Sequence, residues 1–236
     1  MIRLNDIYPT IQGEGACTGM PVALIRLSGC AVGCPWCDTK ETWKSLDKHR
    51  VAKLADLVEM RRRYSESRGD PPVLPHWCEA DEADVADLAR SIAPNIHAAM
   101  VTGGEPAEQD LAALCTALGE RGFLPMLETS GTADGFFDQP WSWICVSPKL
   151  DMPGGKPVLE EAVMRANEIK LVVSNRDDLA RQSAWVKTRR IRMRPGNVVS
   201  LQPESQNPEA TRLCVEACIK EGWRLSVQTH KYIGVR

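Results

Sequence analysis

The strongest constraint on the fold is an alternation of short apolar runs with amphipathic segments along most of the chain. Seven apolar runs predict strands, and four amphipathic segments predict helices. Strands spaced in this way pair in parallel through crossover helices, because a tight hairpin joins only antiparallel strands. The strands are expected at Pro21–Leu27, Ala98–Thr102, Phe123–Glu128, Trp143–Ser147, Ile169–Val173, Val198–Leu201 and Trp223–Val227, and the helices at Glu82–Ile92, Ala107–Arg121, Asp177–Lys187 and Pro208–Glu221.

This pattern predicts an α/β fold, an incomplete TIM-like barrel of parallel strands with crossover helices. A closed eightfold barrel is less favoured, because 236 residues are few for one. The sequence has no internal repeat or low-complexity linker, so we expect one domain over residues 1–236 with an insertion at about 40–81. We interpret the insertion as solvated, with a helix over Val51–Tyr64, surface arginines at Arg61–Arg63 and a turn over residues 68–72.

The composition excludes several classes of protein. With 43% hydrophobic and 25% charged residues, the chain is not intrinsically disordered. Its apolar runs are all shorter than the ~18 residues that span a membrane. A formal net charge of -2 gives no electrostatic reason to expect nucleic acid or an anionic membrane as a partner. The first residues resemble neither a signal nor a transit peptide, so we expect a cytoplasmic protein.

Three of the nine cysteines form a C-x3-C-x2-C cluster at Cys30, Cys34 and Cys37. In a reducing compartment, such a cluster is more typical of a metal site than of disulfides. A cubane iron–sulfur cluster can take three cysteines and leave one iron open. A structural zinc site needs a fourth ligand, for which Cys17 or the His76/Cys78 pair is available. Inert buried thiols are the third alternative. We interpret the remaining six cysteines as small apolar residues: Cys17, Cys78, Cys115, Cys145, Cys214 and Cys218.

Two motifs together resemble the radical S-adenosylmethionine (SAM) superfamily. The first is the cysteine cluster with an aromatic residue, Trp36, just before the third cysteine. The second is the sequence Gly103–Pro106, Gly-Gly-Glu-Pro, which follows an apolar run as it would at the end of a strand. Within that superfamily, the segments Ile11–Gly15 and Gln228–Lys231 are similar to the 7-carboxy-7-deazaguanine synthase family.

This resemblance implies a carbon–nitrogen lyase of 7-deazapurine (queuosine) biosynthesis. Such an enzyme contracts the ring of 6-carboxy-5,6,7,8-tetrahydropterin to 7-carboxy-7-deazaguanine and releases ammonia. The implied cofactors are one [4Fe-4S] cluster per subunit, SAM and Mg²⁺. The implied partners are the small pterin substrate, an external one-electron donor of the flavodoxin or ferredoxin kind, and a second copy of the chain in a homodimer.

The resemblance also implies roles for individual residues. Cys30, Cys34 and Cys37 would hold the cluster, and Thr39 would bind Mg²⁺. SAM would be bound by Trp36, Cys37, Asp38, Gly104, Ser147, Pro148, Lys149, Gln202, Pro203, Glu204 and Ser205. The pterin would be bound by Ile11, Gln12, Gly13, Arg26, Thr102, His230 and the terminal carboxylate of Arg236.

Less specific interpretations of these residues and other functions stay open at the level of sequence. Arg26 could be a surface arginine, Thr39 a helix cap, His230 a packing residue and Ser147–Lys149 a simple turn. A radical SAM activase that makes a glycyl radical on a partner protein would share both motifs. A zinc-stabilised binding module without catalysis is the alternative from another class, and it would be colourless where an iron–sulfur protein is brown.

Overall fold

One nine-stranded sheet contains all the strands of the part of the chain described by the computed structural model, residues 1–68, 73–190 and 193–235. The strands are β1 Ile2–Ile11, β2 Pro21–Leu27, β3 Cys78–Ala80, β4 Ala98–Gly103, β5 Leu124–Thr129, β6 Trp143–Val146, β7 Glu168–Val173, β8 Val198–Pro203 and β9 Arg224–Leu225. Their order across the sheet is β3-β1-β2-β4-β5-β6-β7-β8-β9.

The seven strands β2 and β4–β9 pair in parallel, whereas β1 is antiparallel to both of its neighbours, β2 and β3. The sheet is open, because β3 and β9 form its two edges. The predicted incomplete parallel barrel is confirmed, and each of the seven predicted strands corresponds to one parallel strand. Strands β1 and β3 were not predicted. Polar residues and a proline interrupt the apolar pattern of β1, and β3 has only three residues.

Seven helices accompany the described strands: α1 Leu54–Arg68, α2 Glu82–Ile92, α3 Ala112–Glu120, α4 Glu160–Arg165, α5 Arg176–Arg189, α6 Pro208–Glu221 and α7 Thr229–Ile233. The bounds of α2 and α6 are those predicted. Helix α3 begins later than predicted, because Pro106–Glu108 forms a separate 3-10 turn. The side chain of Asn207 caps α6 by accepting hydrogen bonds from two backbone N–H groups. Among the described residues, no helix is long and apolar enough to cross a membrane.

The two faces of the sheet carry different side chains. Residues on the outer face, such as Ile25, Val101, Leu127 and Leu171, are buried in the main hydrophobic core with the helices. The inner face holds a smaller apolar cluster of Val22, Ala98, Met100 and Met126, with Leu24 and Trp143 packed against it. Because side chains alternate between the faces of a strand, the next inward positions toward the carboxyl ends are Arg26, Thr102 and Glu128. The inner face therefore changes from apolar to polar along the strands.

The segment at 40–81 contributes to the sheet and to the core. Strand β3 pairs with β1, and Leu57 of α1 is fully buried. The interpretation of Arg61 as surface charge is wrong: its side chain is buried, and its guanidinium donates to the backbone carbonyl of Asn5. Arg62 and Arg63 are exposed and pair with Glu59. Most of the predicted turn, residues 69–72, lies outside the described residues.

Candidate active site

The cysteine motif forms a loop directly after β2, beside the carboxyl ends of the parallel strands. Cys34 is buried, and Cys30 and Cys37 are half-buried. Burial raises the pKa of the Cys30 thiol to about 11 and also raises that of Cys34. All three cysteines line one cavity of about 200 Å³. Thiols with raised pKa values become thiolates when a cation compensates their charge, which is what a metal centre does.

The Gly-Gly-Glu-Pro motif fixes the end of β4 against this loop. A Cβ on Gly103, at a φ of +140°, would lie 2.2 Å from the Leu27 carbonyl oxygen, and one on Gly104 would lie 2.2 Å from that of Gly29. The N–H of Gly104 donates to Leu27, and the N–H of Glu105 donates to Gly29. These backbone hydrogen bonds join the motif to the segment just before the first cysteine. Only glycine allows this close approach.

The Glu105 carboxylate of the same motif is buried, and both of its oxygens accept hydrogen bonds within the protein. It accepts hydrogen bonds from the N–H of Ala107 at 3.0 Å, the hydroxyl of Thr129 at 2.6 Å and the N–H of Ser130 at 2.7 Å. It therefore ties the end of β4 to the end of β5. This acid stabilises the edge of the cavity.

The first cavity brings together most of the residues predicted to bind SAM. Of the described residues in that set, Pro148 and Pro203 alone do not line it. The others are Trp36, Cys37, Asp38, Gly104, Ser147, Lys149, Gln202, Glu204 and Ser205. Lys149 donates to the Ser147 hydroxyl, and burial lowers the pKa of Lys149. The Ser147–Lys149 turn thus holds a lysine inside the cavity.

A second cavity adjoins the first and contains the residues predicted to bind the pterin. Its lining includes Ile11, Gln12, Gly13, Arg26, Thr102 and His230. Arg236, the seventh residue of that set, lies outside the described residues. The two cavities share part of their wall, formed by Glu14, Asp38, Thr39, Thr102, Gly103 and Glu128.

Two residues give the second cavity its shape and charge. Burial alone would lower the pKa of the Arg26 guanidinium, but Tyr8, Asp38 and Asp6 raise it. Arg26 therefore stays cationic. A Cβ on Gly13 would lie 2.1 Å from Nδ1 of His230, so glycine is what lets this histidine approach β1. Burial lowers the pKa of His230, which favours its neutral form at pH 7.

A buried charge network connects the two cavities. The ammonium of Lys170 lies 2.7 Å from Oε2 of Glu14 and 3.1 Å from Oε1 of Glu128. Burial alone would raise the pKa of Glu14, but the charge of Lys170 and hydrogen bonds from Lys170 and Gln228 lower it to about 2. The same two carboxylates raise the pKa of Lys170, against the effect of burial. Glu14 and Lys170 are therefore both ionised at neutral pH.

Sequence reasoning assigned no role to Glu128, Lys170 or Gln228. Glu128 accepts hydrogen bonds from Nε2 of Gln12 at 3.3 Å and from the hydroxyl of Thr102 at 3.2 Å, so it orients two of the predicted pterin residues. The available signal was a charged residue in an otherwise apolar strand, as in Glu-Ile-Lys-Leu-Val-Val of β7. A buried charge is costly unless it is paired, so such a position indicates a partner inside the fold.

Thr39 lies in the shared wall next to the last cysteine. Its backbone N–H donates to Sγ of Cys37 at 3.4 Å. Thr39 precedes the 3-10 turn Lys40–Thr42, but its side chain makes no capping hydrogen bond. The structure therefore does not support the capping interpretation, and Thr39 lines both cavities.

Comparison with known proteins places the chain in a family. The 7-carboxy-7-deazaguanine synthase of Escherichia coli K12 is 39% identical over 232 residues, which cover 98% of each chain. That of Buchnera aphidicola subsp. Schizaphis graminum is 35% identical over 235 residues, 99% of this chain and 98% of the relative. The chain belongs to the 7-carboxy-7-deazaguanine synthase family. The crystal structure of QueE from Escherichia coli has 37% identity and a TM-score of 0.81, covering 96% of this chain and 93% of that one. No protein-family model matches the chain.

Membership of this synthase family makes the chain a radical SAM lyase that works with an iron–sulfur cluster and SAM. In the described part of the chain, no three His, Cys, Asp or Glu side chains converge closely enough for a single metal ion. A cubane binds its cysteines through different iron atoms, so its ligands need only surround a cavity. Neither the zinc module nor the activase agrees with the family.

Proposed function

We propose that the chain converts 6-carboxy-5,6,7,8-tetrahydropterin to 7-carboxy-7-deazaguanine with loss of ammonia, in the 7-deazapurine biosynthesis that leads to queuosine. The observation that carries this proposal is the wall shared by the two cavities, which includes Asp38, Thr39, Thr102 and Glu128. SAM in the first cavity and a pterin in the second would meet across this wall. Family membership supplies the reaction, and the shared wall gives it a place in this chain.

The cluster and SAM belong in the first cavity. Cys30, Cys34 and Cys37 would hold the cluster, which with SAM supplies the 5′-deoxyadenosyl radical that takes a hydrogen from C6 of the pterin. The residues predicted to bind SAM, which include Asp38 and Gln202, lie on the cysteine loop and at the ends of strands around that cavity. These residues would hold SAM in the first cavity, beside the shared wall.

The residues of the second cavity suit a pterin that carries a carboxylate. The cationic Arg26 can bind the carboxylate through two hydrogen bonds. The amide of Gln12 and the backbone at residues 11–13 offer donors and acceptors to the edge of the ring. Glu128 holds Gln12 and Thr102 in place through hydrogen bonds. Neutral His230 covers the cavity beside Gly13.

We also propose Thr39 as the ligand through which the protein binds Mg²⁺. Mg²⁺ prefers hard oxygen ligands and keeps several waters or substrate oxygens, so one hydroxyl in the shared wall is a sufficient protein contribution. The ion would then supply positive charge near the pterin carboxylate. Thr39→Ala should weaken the dependence of turnover on Mg²⁺ and slow ring contraction, with the iron content unchanged. Thr39→Ser, which keeps the hydroxyl, should resemble the parent. An unchanged Mg²⁺ response in Thr39→Ala would argue against this ligand.

The function is tested by anaerobic turnover of the reconstituted enzyme. The assay contains 6-carboxytetrahydropterin, SAM, Mg²⁺ and a reductant, and mass spectrometry measures the product. We expect 7-carboxy-7-deazaguanine and one equivalent of ammonia. Cys34→Ala should lose iron and activity, whereas Cys115→Ala, on the buried face of α3, should keep both. The assignment would be rejected if the enzyme held a full cluster and cleaved SAM but left the pterin unchanged.

Three expectations from the resemblance stay predictions: the homodimer, the external one-electron donor of the flavodoxin or ferredoxin kind, and the contact of the Arg236 carboxylate with the pterin. The cytoplasmic location, expected from the sequence itself, also stays a prediction. The negatively charged terminal carboxylate would accept a hydrogen bond from the amino group at the edge of the pterin ring. A short C-terminal tag should then raise the KM for the pterin, and an N-terminal tag should not.

A further inference from the structure

The residues just after the cysteine motif hold both ends of the cysteine loop. The carbonyl of Thr42 accepts from the N–H of Gly29 at 2.7 Å, and the carbonyl of Trp43 accepts from the N–H of Cys30 at 3.0 Å. Thr42 is fully buried, and its hydroxyl donates to the carbonyl of Thr39 at 2.8 Å. The start of the 40–81 segment is therefore built against the first cysteine of the motif.

The side chain of Trp43 reaches the last cysteine. Its indole Nε1–H donates to Sγ of Cys37 at 3.3 Å, while its backbone carbonyl accepts from Cys30. Trp43 thus contacts the first and third cysteines of the motif at once. The Lys40 ammonium lies 5.9 Å from the centre of its ring, and the ring lines the first cavity.

We propose that Trp43 is a positioning residue that raises the reduction potential of the iron–sulfur cluster through this hydrogen bond. In the loaded enzyme, Sγ of Cys37 is the thiolate ligand of one iron. A hydrogen bond to that sulfur stabilises negative charge on the cluster, and the reduced cluster carries one more negative charge than the oxidised one. The hydrogen bond therefore stabilises the reduced cluster more than the oxidised cluster. An external donor can then reduce the cluster more easily. Hydrogen bonds to cluster sulfurs are among the factors that set such potentials.

The inference rests on the proposed role of Cys37 as a cluster ligand, and the experiment separates the two. Trp43→Phe keeps an aromatic ring but removes the N–H. Iron per chain is measured first, and then the fraction of reduced cluster is followed by EPR in a dithionite titration without SAM. We expect unchanged iron and a lower potential, so that the ratio of reduced to oxidised cluster at the parent's midpoint falls about three- to tenfold.

Trp77→Phe is the matched control. Trp77 is a buried tryptophan of the same segment, and its indole N–H donates at 3.0 Å to the carbonyl of Leu46 instead of a sulfur. Its replacement should leave the potential unchanged. Full iron and an unchanged potential in Trp43→Phe would overturn the inference about Trp43. Full iron in Cys37→Ala would instead overturn the ligand assignment beneath it.

A second measurement covers the case in which Trp43→Phe does not retain the cluster. The protein is prepared with ¹⁵N in its indole rings and carries Trp36→Phe, because Trp36 is the other tryptophan among the described residues of the cavity wall. Pulsed EPR of the reduced cluster should then detect coupling to one ¹⁵N nucleus. Its absence would overturn the hydrogen bond to the cluster sulfur.

Discussion

Lys170 pairs with two half-buried carboxylates in the candidate site, and only 6% of its own side chain is exposed. Lys170→Met should lower the free energy of unfolding by about 3–5 kcal/mol, because Glu14 and Glu128 lose their shared cation. Urea unfolding of the protein at pH 7 measures this loss. Lys187→Met is the control, since Lys187 pairs with Glu221 at the surface and should cost less than about 1 kcal/mol. Equal losses in the two variants would show that the network does not stabilise the fold.

At the residue scale, short-range motifs could be predicted and long-range pairs could not. The three cysteines and the residues at 11–13 lie in short stretches of sequence, so their pattern is visible without a structure. The pairs of Lys170 with Glu14 and Glu128 join residues 156 and 42 positions apart. Which partner each charge meets depends on strand order and on the inward or outward direction of each side chain. That information arises only when the sheet is assembled.

The end of β4 is the element in which backbone geometry matters most. Gly103→Ala should strongly destabilise the protein, because its Cβ would collide with the backbone of Leu27 and its φ of +140° disfavours any side chain. Gly119→Ala is the matched control. Gly119 lies in α3 with no heavy atom within 4 Å of the added Cβ, so alanine there should stabilise the helix by up to about 1 kcal/mol. Thermal unfolding of both variants gives the comparison, and similar melting temperatures would contradict the steric argument.

Helix α1 shows why three adjacent arginines have different roles. Successive residues on a helix point about 100° apart, so Arg61 shares the buried face of Leu57, four residues earlier, and its two neighbours do not. Arg61 donates to the backbone carbonyls of Asn5, Leu74 and His76, which joins α1 to β1 and to the segment before β3. The triplet alone could not identify its buried member, because the apolar face of the helix is weakly marked.

We expect Arg61→Ala to lower the free energy of unfolding by about 3 kcal/mol or more, because buried carbonyls lose their charged donor. Arg63→Ala is the control from the same triplet. Arg63 is exposed and pairs only with Glu59 among the partners described for it, so its loss should cost less than about 1 kcal/mol. Urea unfolding measures both variants. A small effect of Arg61→Ala would mean that α1 does not depend on this residue for its attachment.

Across the whole molecule, the parallel sheet determines where the candidate site lies. Parallel strands place their carboxyl ends at one rim, so the residues after β2, β4, β6 and β8 meet there although they are far apart in sequence. This arrangement could be predicted from the alternation of strands and helices. The antiparallel edge of β1 and β3 could not, because polar residues and a proline interrupt the apolar pattern of β1 and because β3 has only three residues.

The charge network should also make the free energy of unfolding of the whole chain depend on pH in the acidic range. The pKa of Glu14 is about 2 in the folded protein against an ordinary 4.5, so the unfolded chain takes up the proton first as the pH falls. The contribution of Glu14 is therefore complete above about pH 5 and is lost as the pH falls from 4.5 through 2. The difference in unfolding free energy between the parent and Glu14→Gln should shrink over that range by at most about 3 kcal/mol.

Glu59→Gln is the control for this pH dependence. The pKa of Glu59 is also lowered to about 2, by hydrogen bonds from Arg62 and Arg63, but this carboxylate is exposed on α1. Water and salt screen such a pair, and the flexible side chains lose entropy when they form it. At 0.15 M salt, the difference between the parent and Glu59→Gln should therefore stay nearly constant with pH. Urea unfolding could instead show a larger pH dependence for Glu59→Gln than for Glu14→Gln. That result would mean that burial of Glu14 beside Lys170 does not cause the loss of stability in acid.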